Sequence, residues 1–319
     1  MPHTFDLLVI GDANPDIVLG PLRAPLAFGQ REQLVDTGVL TLGGSGAIMA
    51  CGAARLGLGV AFAGRVGDDD AGRFVRAALT DRGVNTDALV VDPDLSTPLT
   101  AVVTDGADRA ILTAPGTLAA TSGDDVPGAL LADCRHVHAA SYFLMPKLAG
   151  ALPGLLRTAR GHGATTSLDT NDDPSGQWRR PGALDEVLAV TDVLLPNARE
   201  ARALAGSPAG PLDAAAALLA AVGPLVVVKD GAEGALAHDG NSLTRTGAFP
   251  VRPKDTVGAG DSFDAGFVAA VLAGLPTARA LELAAVCGAL STRAHGGTAA
   301  QPTWDEAVAA ATHNGENHS

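Results

Sequence analysis

The sequence predicts an α/β protein: a mostly parallel central sheet, with a second, smaller sheet set apart from it. Three observations carry this. From about residue 126 short apolar runs alternate with helical stretches, the pattern of parallel strand–helix–strand units. Two earlier segments, 17–42 and 96–113, are extended or strand-rich and broken by turns, with no long helical period. The length, 319 residues, suits one large core with one small appendage.

Composition narrows the class. Hydrophobic residues make up 47% of the chain but aromatics only 3%, so the core must be built from Ala, Val and Leu. A net charge of −13 excludes a nucleic-acid backbone as the main partner, because phosphate neutralisation needs basic clusters. Cys51, Cys134 and Cys287 lie far apart without Cys-x-x-Cys spacing, which reads as buried free thiols in a reducing compartment. The opening Met-Pro-His-Thr-Phe-Asp lacks the regions of a signal peptide, and no apolar run reaches spanning length. A cytoplasmic protein without membrane partners is expected.

Taken in order, Leu7–Ile10 is a buried first strand ending at Gly11. It leads into Asp12-Ala13-Asn14-Pro15-Asp16, and ligands of open α/β sheets bind just beyond the carboxyl ends of strands. Asn14 and Asp16 together can donate to and accept from vicinal hydroxyls; an Asx turn before Pro15 explains the same residues locally. The Gly-x-Gly-x-x-Gly of a dinucleotide fold is missing here, which argues against a dehydrogenase. Residues 43–57 run from Gly43-Gly44 into a small-residue helix. In 96–113, two strand-forming runs flank Asp105-Gly106 as a hairpin. Further strands are expected at 136–140, 165–169, 193–195 and 225–228. His136 and His138 alternate on one strand, but no third ligand at metal spacing accompanies them. Tyr142 and Phe143 belong to the core by default. Asn197 and Glu200 are three apart on one helical face, where a capping box accounts for them equally well. Val226–Lys229 runs into the glycine turn 231–234, and no P-loop pattern occurs.

The stretch Asp255–Phe263 organises the rest. Gly258, Ala259 and Gly260 let backbone N–H groups turn toward a ligand, and Phe263, Phe267, Val268, Val271 and Leu272 continue as a helix stopped near Gly274 and Pro276. Amides at a helix N-terminus seat a phosphate or developing negative charge. Asp261 in the first turn could accept a proton from an attacking hydroxyl. An acid there can equally be a simple cap.

The full string Asp255-Thr256-Val257-Gly258-Ala259-Gly260-Asp261, followed by Ala265-Gly266, resembles the C-terminal signature of the ribokinase (PfkB) family of carbohydrate kinases. Gly43-Gly44 through Ala53-Ala54-Arg55-Leu56-Gly57 and Gly64–Gly72 resemble its N-terminal signature. The resemblance implies a ribokinase-like three-layer αβα fold, covering 1–16, 43–95 and 114–312, with a β-sheet lid from 17–42 and 96–113 and a flexible tail at 313–319. It implies ATP-dependent phosphoryl transfer to a sugar or polyol hydroxyl, with Asp261 as base and Gly258, Ala259 and Gly260 as anion hole. Asn14, Asp16, Gly43 and Gly44 would bind the sugar. Asn197, Lys229, Gly231 and Gly234 would meet ATP, with Cys287–Ala289 and His295–Gly297 on the adenine side. Glu200 would order Mg2+ water, and Asp255 with carbonyls near 296–297 would hold a monovalent cation such as K+. Homodimerisation through the lid is also implied.

Two departures bear on substrate. Ile48 stands where the family usually has an Asn that bonds a substrate hydroxyl. Asp173 stands where an Arg often follows Asp-Pro-Asn, leaving no evident clamp for a sugar acid. A nucleoside kinase of the same family, whose base pocket would use Ile48 and Met49, and a non-catalytic sugar- or nucleotide-binding regulator are the alternatives.

Overall fold

The structure, a computed structural model, describes residues 3–105, 108–178 and 183–316. Thirteen strands are described: β1 Phe5–Ile10, β2 Asn14–Gly20, β3 Thr37–Gly43, β4 Val60–Gly67, β5 Leu89–Asp92, β6 Leu99–Asp105, β7 Asp108–Ala114, β8 Cys134–Ala140, β9 Thr165–Asp169, β10 Val193–Leu194, β11 Leu225–Lys229, β12 Ala235–His238 and β13 Leu243–Thr246. Nine form one sheet in the order β13-β12-β11-β10-β9-β8-β1-β4-β5. It is parallel from β5 to β11, and β12 and β13 close it antiparallel.

Alternation along β1 explains the layering. Leu7 and Val9 join a core with helices Ser45–Arg55, Ala259–Leu272 and Thr277–Ser291; Leu8 and Ile10 join another with helices Pro146–Gly161, Ala198–Leu204 and Leu212–Ala220. Successive strand side chains point to opposite faces, so a strand buried on both sides reads as an unbroken apolar run. Small residues let the helices close in: a Cβ on Gly266 would lie 2.9 Å from Cys287 Sγ. Cys287 is thus helix-packing material, and all three cysteines are buried and free. Chain order reverses direction across β8, β1 and β4, and such switch points open a crevice at the strands' carboxyl ends.

The second sheet has order β3-β2-β6-β7. Its β2 begins at Asn14, so Asn14 and Asp16 stand on this sheet rather than on a loop ahead of it. β6 and β7 pair antiparallel as the expected hairpin; the turn at Gly106 lies outside the described residues. Val18 and Val102 pack on Val257, which seats the small sheet against the segment leading into helix Ala259–Leu272. Arg109 on β7 reaches the same segment, donating from Nη1 to Thr256 Oγ1 at 3.4 Å. At the chain's end, helix Trp304–Glu316 runs past the expected start of the tail at 313, and 317–319 lie outside the described residues. Among the described residues no helix is long and apolar enough to cross a membrane.

Candidate active site

Helix Ala259–Leu272 starts from Gly258, whose φ of 72° is left-handed. Glycine is needed there twice over, since a Cβ would also stand 2.6 Å from Gly297 Cα and 3.0 Å from Ile48 Cγ2. Asp255 braces the approach, accepting from Val257 N at 3.0 Å and Gly296 N at 2.9 Å. The Ala259 amide is directed at Thr256 O at 3.3 Å. Those of Gly260 and Asp261 have no acceptor among the described residues, as expected in a first helical turn.

Asp261, half-buried, stands beside these amides. Ser45 Oγ donates to its Oδ1 and accepts from Asn171 Nδ2 at 2.9 Å. Asn171 Oδ1 in turn accepts from Ser141 N at 2.7 Å. Asn171 and Ser141 both have positive φ, 54° and 56°; strained backbone of this kind persists only where surroundings over-determine it. Asp12, at the end of β1, anchors the other partner by accepting from Ser45 N at 3.2 Å and Gly46 N at 3.0 Å. Burial pushes the Asp261 carboxyl up to about 7; Ser45 opposes the rise, and Asp169 and Asp12 add to it. Asp12 is likewise raised by burial.

On the next strands, Lys229 Nζ donates to Asp169 Oδ2 at 2.6 Å and to both Asp264 oxygens at 3.0 Å. The ammonium expected to meet ATP is therefore engaged inside the protein. Burial works against its charge, but Asp169 and Asp264 outweigh it and hold it protonated. Beyond it, Asn197 and Glu200 close a capping box on helix Ala198–Leu204: Asn197 N donates to Glu200 Oε2 at 2.9 Å, and Glu200 N donates to Asn197 Oδ1 at 3.0 Å. Glu200 is buried, and burial, then the Asp169 charge, raises its pKa to about 7. An isolated bridge pairs Asn197 with Lys229. Gly231 and Gly234 follow in the next turn with φ 56° and 95°.

The second sheet supplies the remaining polar groups. Asn14 Nδ2 lies 2.8 Å from Asp16 Oδ1 and 3.1 Å from Thr100 Oγ1. Gly43, opposite Asn14 on β3, leaves room for the Asp16 carboxylate: a Cβ would fall 2.0 Å from its Oδ1. Gly44 (φ 85°) brings the chain against Ala13 before the helix begins. Burial and then the Asp12 charge raise Asp16 to about 7, and Asp261 contributes to the same rise, so the acids of the second sheet and of the helix share one electrostatic neighbourhood.

Several other residues single out their own surroundings rather than this cluster. Ile48 is buried, its Cδ1 2.6 Å from where a Gly297 Cβ would stand; it supports the amide turn from behind. Asp173 turns onto its own loop, accepting from Ser175 N at 2.9 Å and Trp178 N at 2.7 Å. His136 and His138 share Ser167 Oγ within the core. Ser45 and Asp264 escaped the sequence reading. Asp264 did leave a signal, an acid three residues after Asp261 among the apolar positions of a helix; Ser45 left none, because its partner is 216 positions away.

The fold places the chain in a class, the ribokinase-like α/β proteins. Residues 4–304 match the model of the pfkB family of carbohydrate kinases, and the chain belongs to that family. The ATP-dependent ribose-1-phosphate kinase of Halopiger xanaduensis is 34% identical over 312 residues, covering 95% of this chain and 97% of the relative. The fructokinase of Klebsiella pneumoniae is 32% identical over 278 residues, with 83% and 90% covered. Among solved structures, Arabidopsis thaliana ribokinase complexed with ribose and ATP superposes with a TM-score of 0.83 at 25% identity, covering 98% of this chain and 99% of that one.

Proposed function

We propose that the protein transfers the γ-phosphoryl group of ATP to a hydroxyl of a neutral sugar or sugar phosphate, with Asp261 as general base. The observation that carries this is the juxtaposition of a half-buried carboxyl with unpaired amides in one helical turn. The acceptor hydroxyl gives its proton to Asp261 while its oxygen bonds to the γ-phosphorus. The bond from that phosphorus to the β,γ-bridging oxygen breaks, and its electron pair leaves with ADP. Gly258 and Gly260 offer amides to the negative charge on the moving group, and Ala259, its amide directed at Thr256 O, shapes the turn between them. A pKa near 7 suits a base that must be free at neutral pH yet strong enough to take a proton.

Asn14 and Asp16, on the small sheet facing the switch point, hold the acceptor's other hydroxyls, with Gly43 and Gly44 giving them room. Asn197 and Glu200 face the phosphate side, joined there by the turn amides of Gly231 and Gly234. Mg2+ fits that side because it keeps most of its waters, and a buried, pre-oriented Glu200 can order one. Asp255 accepts one amide per oxygen and so keeps lone pairs for K+. The small sheet acts as a lid that excludes water, and Ile111 and Leu112, 58% and 59% exposed, give it an apolar surface for a second copy.

Two observations sharpen the substrate. Asp173 is spent on its own loop, so no basic clamp for a sugar acid arises there. Ile48 is buried behind Gly258 and offers little apolar surface to a nucleoside base, which supports a sugar acceptor over a nucleoside. ADP release measured over ribose, ribose 1-phosphate, fructose, other hexoses and nucleosides, with and without K+, tests the reading. Turnover on a sugar or sugar phosphate is expected. ATP binding with no turnover on any of them would make the protein a regulator instead.

A further inference from the structure

Beneath the amide turn lies a buried cation for which the transfer itself has no direct use. The side chain of Lys229, which ends β11, is 11% exposed, against 2% for Asp169 and 1% for Asp264. Its Nζ also lies 3.6 Å from the point where a Cβ on Gly260 would stand, directly under a residue of the amide turn. Oxygens of Asp169, Asp261 and Asp264 come within 4.8 Å of one another. Three carboxylates that close cannot all ionise without a counter-charge, and Lys229 brings one within the protein itself. Buried ion clusters of this kind contribute little net stability compared with apolar packing. The arrangement is better explained by its effect on its neighbour.

We propose that Lys229, with Asp169 and Asp264, forms an internal ion triad that positions Asp261 and balances the charge around it, making Lys229 a positioning residue of the transfer and not a ligand of ATP. This rests on Asp261 being the base. The groups facing Asp261 come from every surrounding element: Asp12 at the end of β1, Asp16 on β2, Ser45 on its helix, Asp169 on β9, Lys229 on β11 and Asp264 one turn along its own helix. Asp169 and Lys229 act on it with opposite signs. A unit charge at this range moves a carboxyl by roughly one pH unit or more.

The test is the pH dependence of kcat/KM, whose acid limb reports the free enzyme's base. Lys229→Met should move that limb to higher pH and Asp169→Asn to lower pH, each by about one unit, while Lys229→Arg keeps it near the wild-type position. Opposed shifts are something a merely structural role would not produce. If both variants fold and the limb stays put, the triad has no such role. A raised KM for ATP in Lys229→Met with an unmoved limb would make Lys229 a nucleotide ligand and overturn the proposal. Should Lys229→Met fail to fold by circular dichroism, the shift in Asp169→Asn decides alone. Asp261→Asn, run alongside, separates the two levels: normal turnover in that variant sinks the base assignment, whereas its inactivity with unmoved limbs in the other variants sinks only the triad.

Discussion

Replacing Gly43 by Ala tests the sugar-side assignment with one methyl group. The added Cβ would fall 2.0 Å from Asp16 Oδ1, 2.1 Å from its Cγ and 2.4 Å from its Oδ2, where a normal contact between non-bonded heavy atoms is about 3.5 Å. The backbone of β3 is fixed by pairing with β2 from Asn14↔Gly43 onward, so the carboxylate must give way by more than about 1 Å. That breaks the Asn14–Asp16 hydrogen bond of 2.8 Å, a charge-assisted contact worth about 1.5–3 kcal/mol when Asp16 is ionised. Misplacing a positioning group by ~1 Å costs about 10²-fold in rate. Steady-state kinetics on the best sugar should show kcat/KM reduced by about that factor, most of it in KM for the sugar, with nucleotide affinity from equilibrium titration unchanged. Folding should survive, because Asp16 is itself destabilised by burial. A variant within twofold of wild type on the sugar would refute the claim that Asp16 contacts substrate.

Other predictions follow from the same geometry. Gly258→Ala forces a left-handed backbone on alanine, costing about 1 kcal/mol, and drives a methyl onto Gly297; kcat should drop by about 10²–10³ with little change in KM for ATP, and an unchanged kcat would remove the turn from the anion-binding role. Asp261→Asn should raise thermal stability at alkaline pH. Its carboxyl is raised from 3.8 to about 7, so the folded state holds a proton that the unfolded state has already lost. Stability present below the unfolded value is therefore lost as pH climbs through about 7. Asparagine escapes that loss, and its advantage over wild type in unfolding free energy should grow by about 1–3 kcal/mol between pH 5 and pH 8; a gap independent of pH would contradict the assigned shift.

Much of the architecture was legible because it depends on local pattern. The double-sided apolar run at β1, the alternation after residue 126 and the hairpin at 96–113 each report a neighbourhood of a few residues, and each forms as read. The starting point of the second sheet was less legible. Asn14 looks like a turn residue before Pro15, yet β2 begins there because Gly43 pairs with it across nearly thirty positions. The site shows the same divide. Gly258 and Asp261 announce themselves as a glycine turn and an acid opening a helix. What holds them is long-range: Ser45 on Asp261, Ile48 behind Gly258, and Asp264 and Asp169 around Lys229. Lys229 shows the divide most clearly, since a lysine at the end of a strand before a glycine turn suggests a phosphate contact. Only the fold reveals two carboxylates already in reach of its ammonium.

The central claim is that the carboxylate of Asp261 takes the acceptor's proton during phosphoryl transfer. Its most direct test is single-turnover and steady-state kinetics of Asp261→Asn with ATP and the best sugar, alongside a melting curve showing a folded protein. A loss of about 10²–10⁴ in kcat with nucleotide affinity retained is the predicted result; turnover within a few-fold of wild type would contradict it.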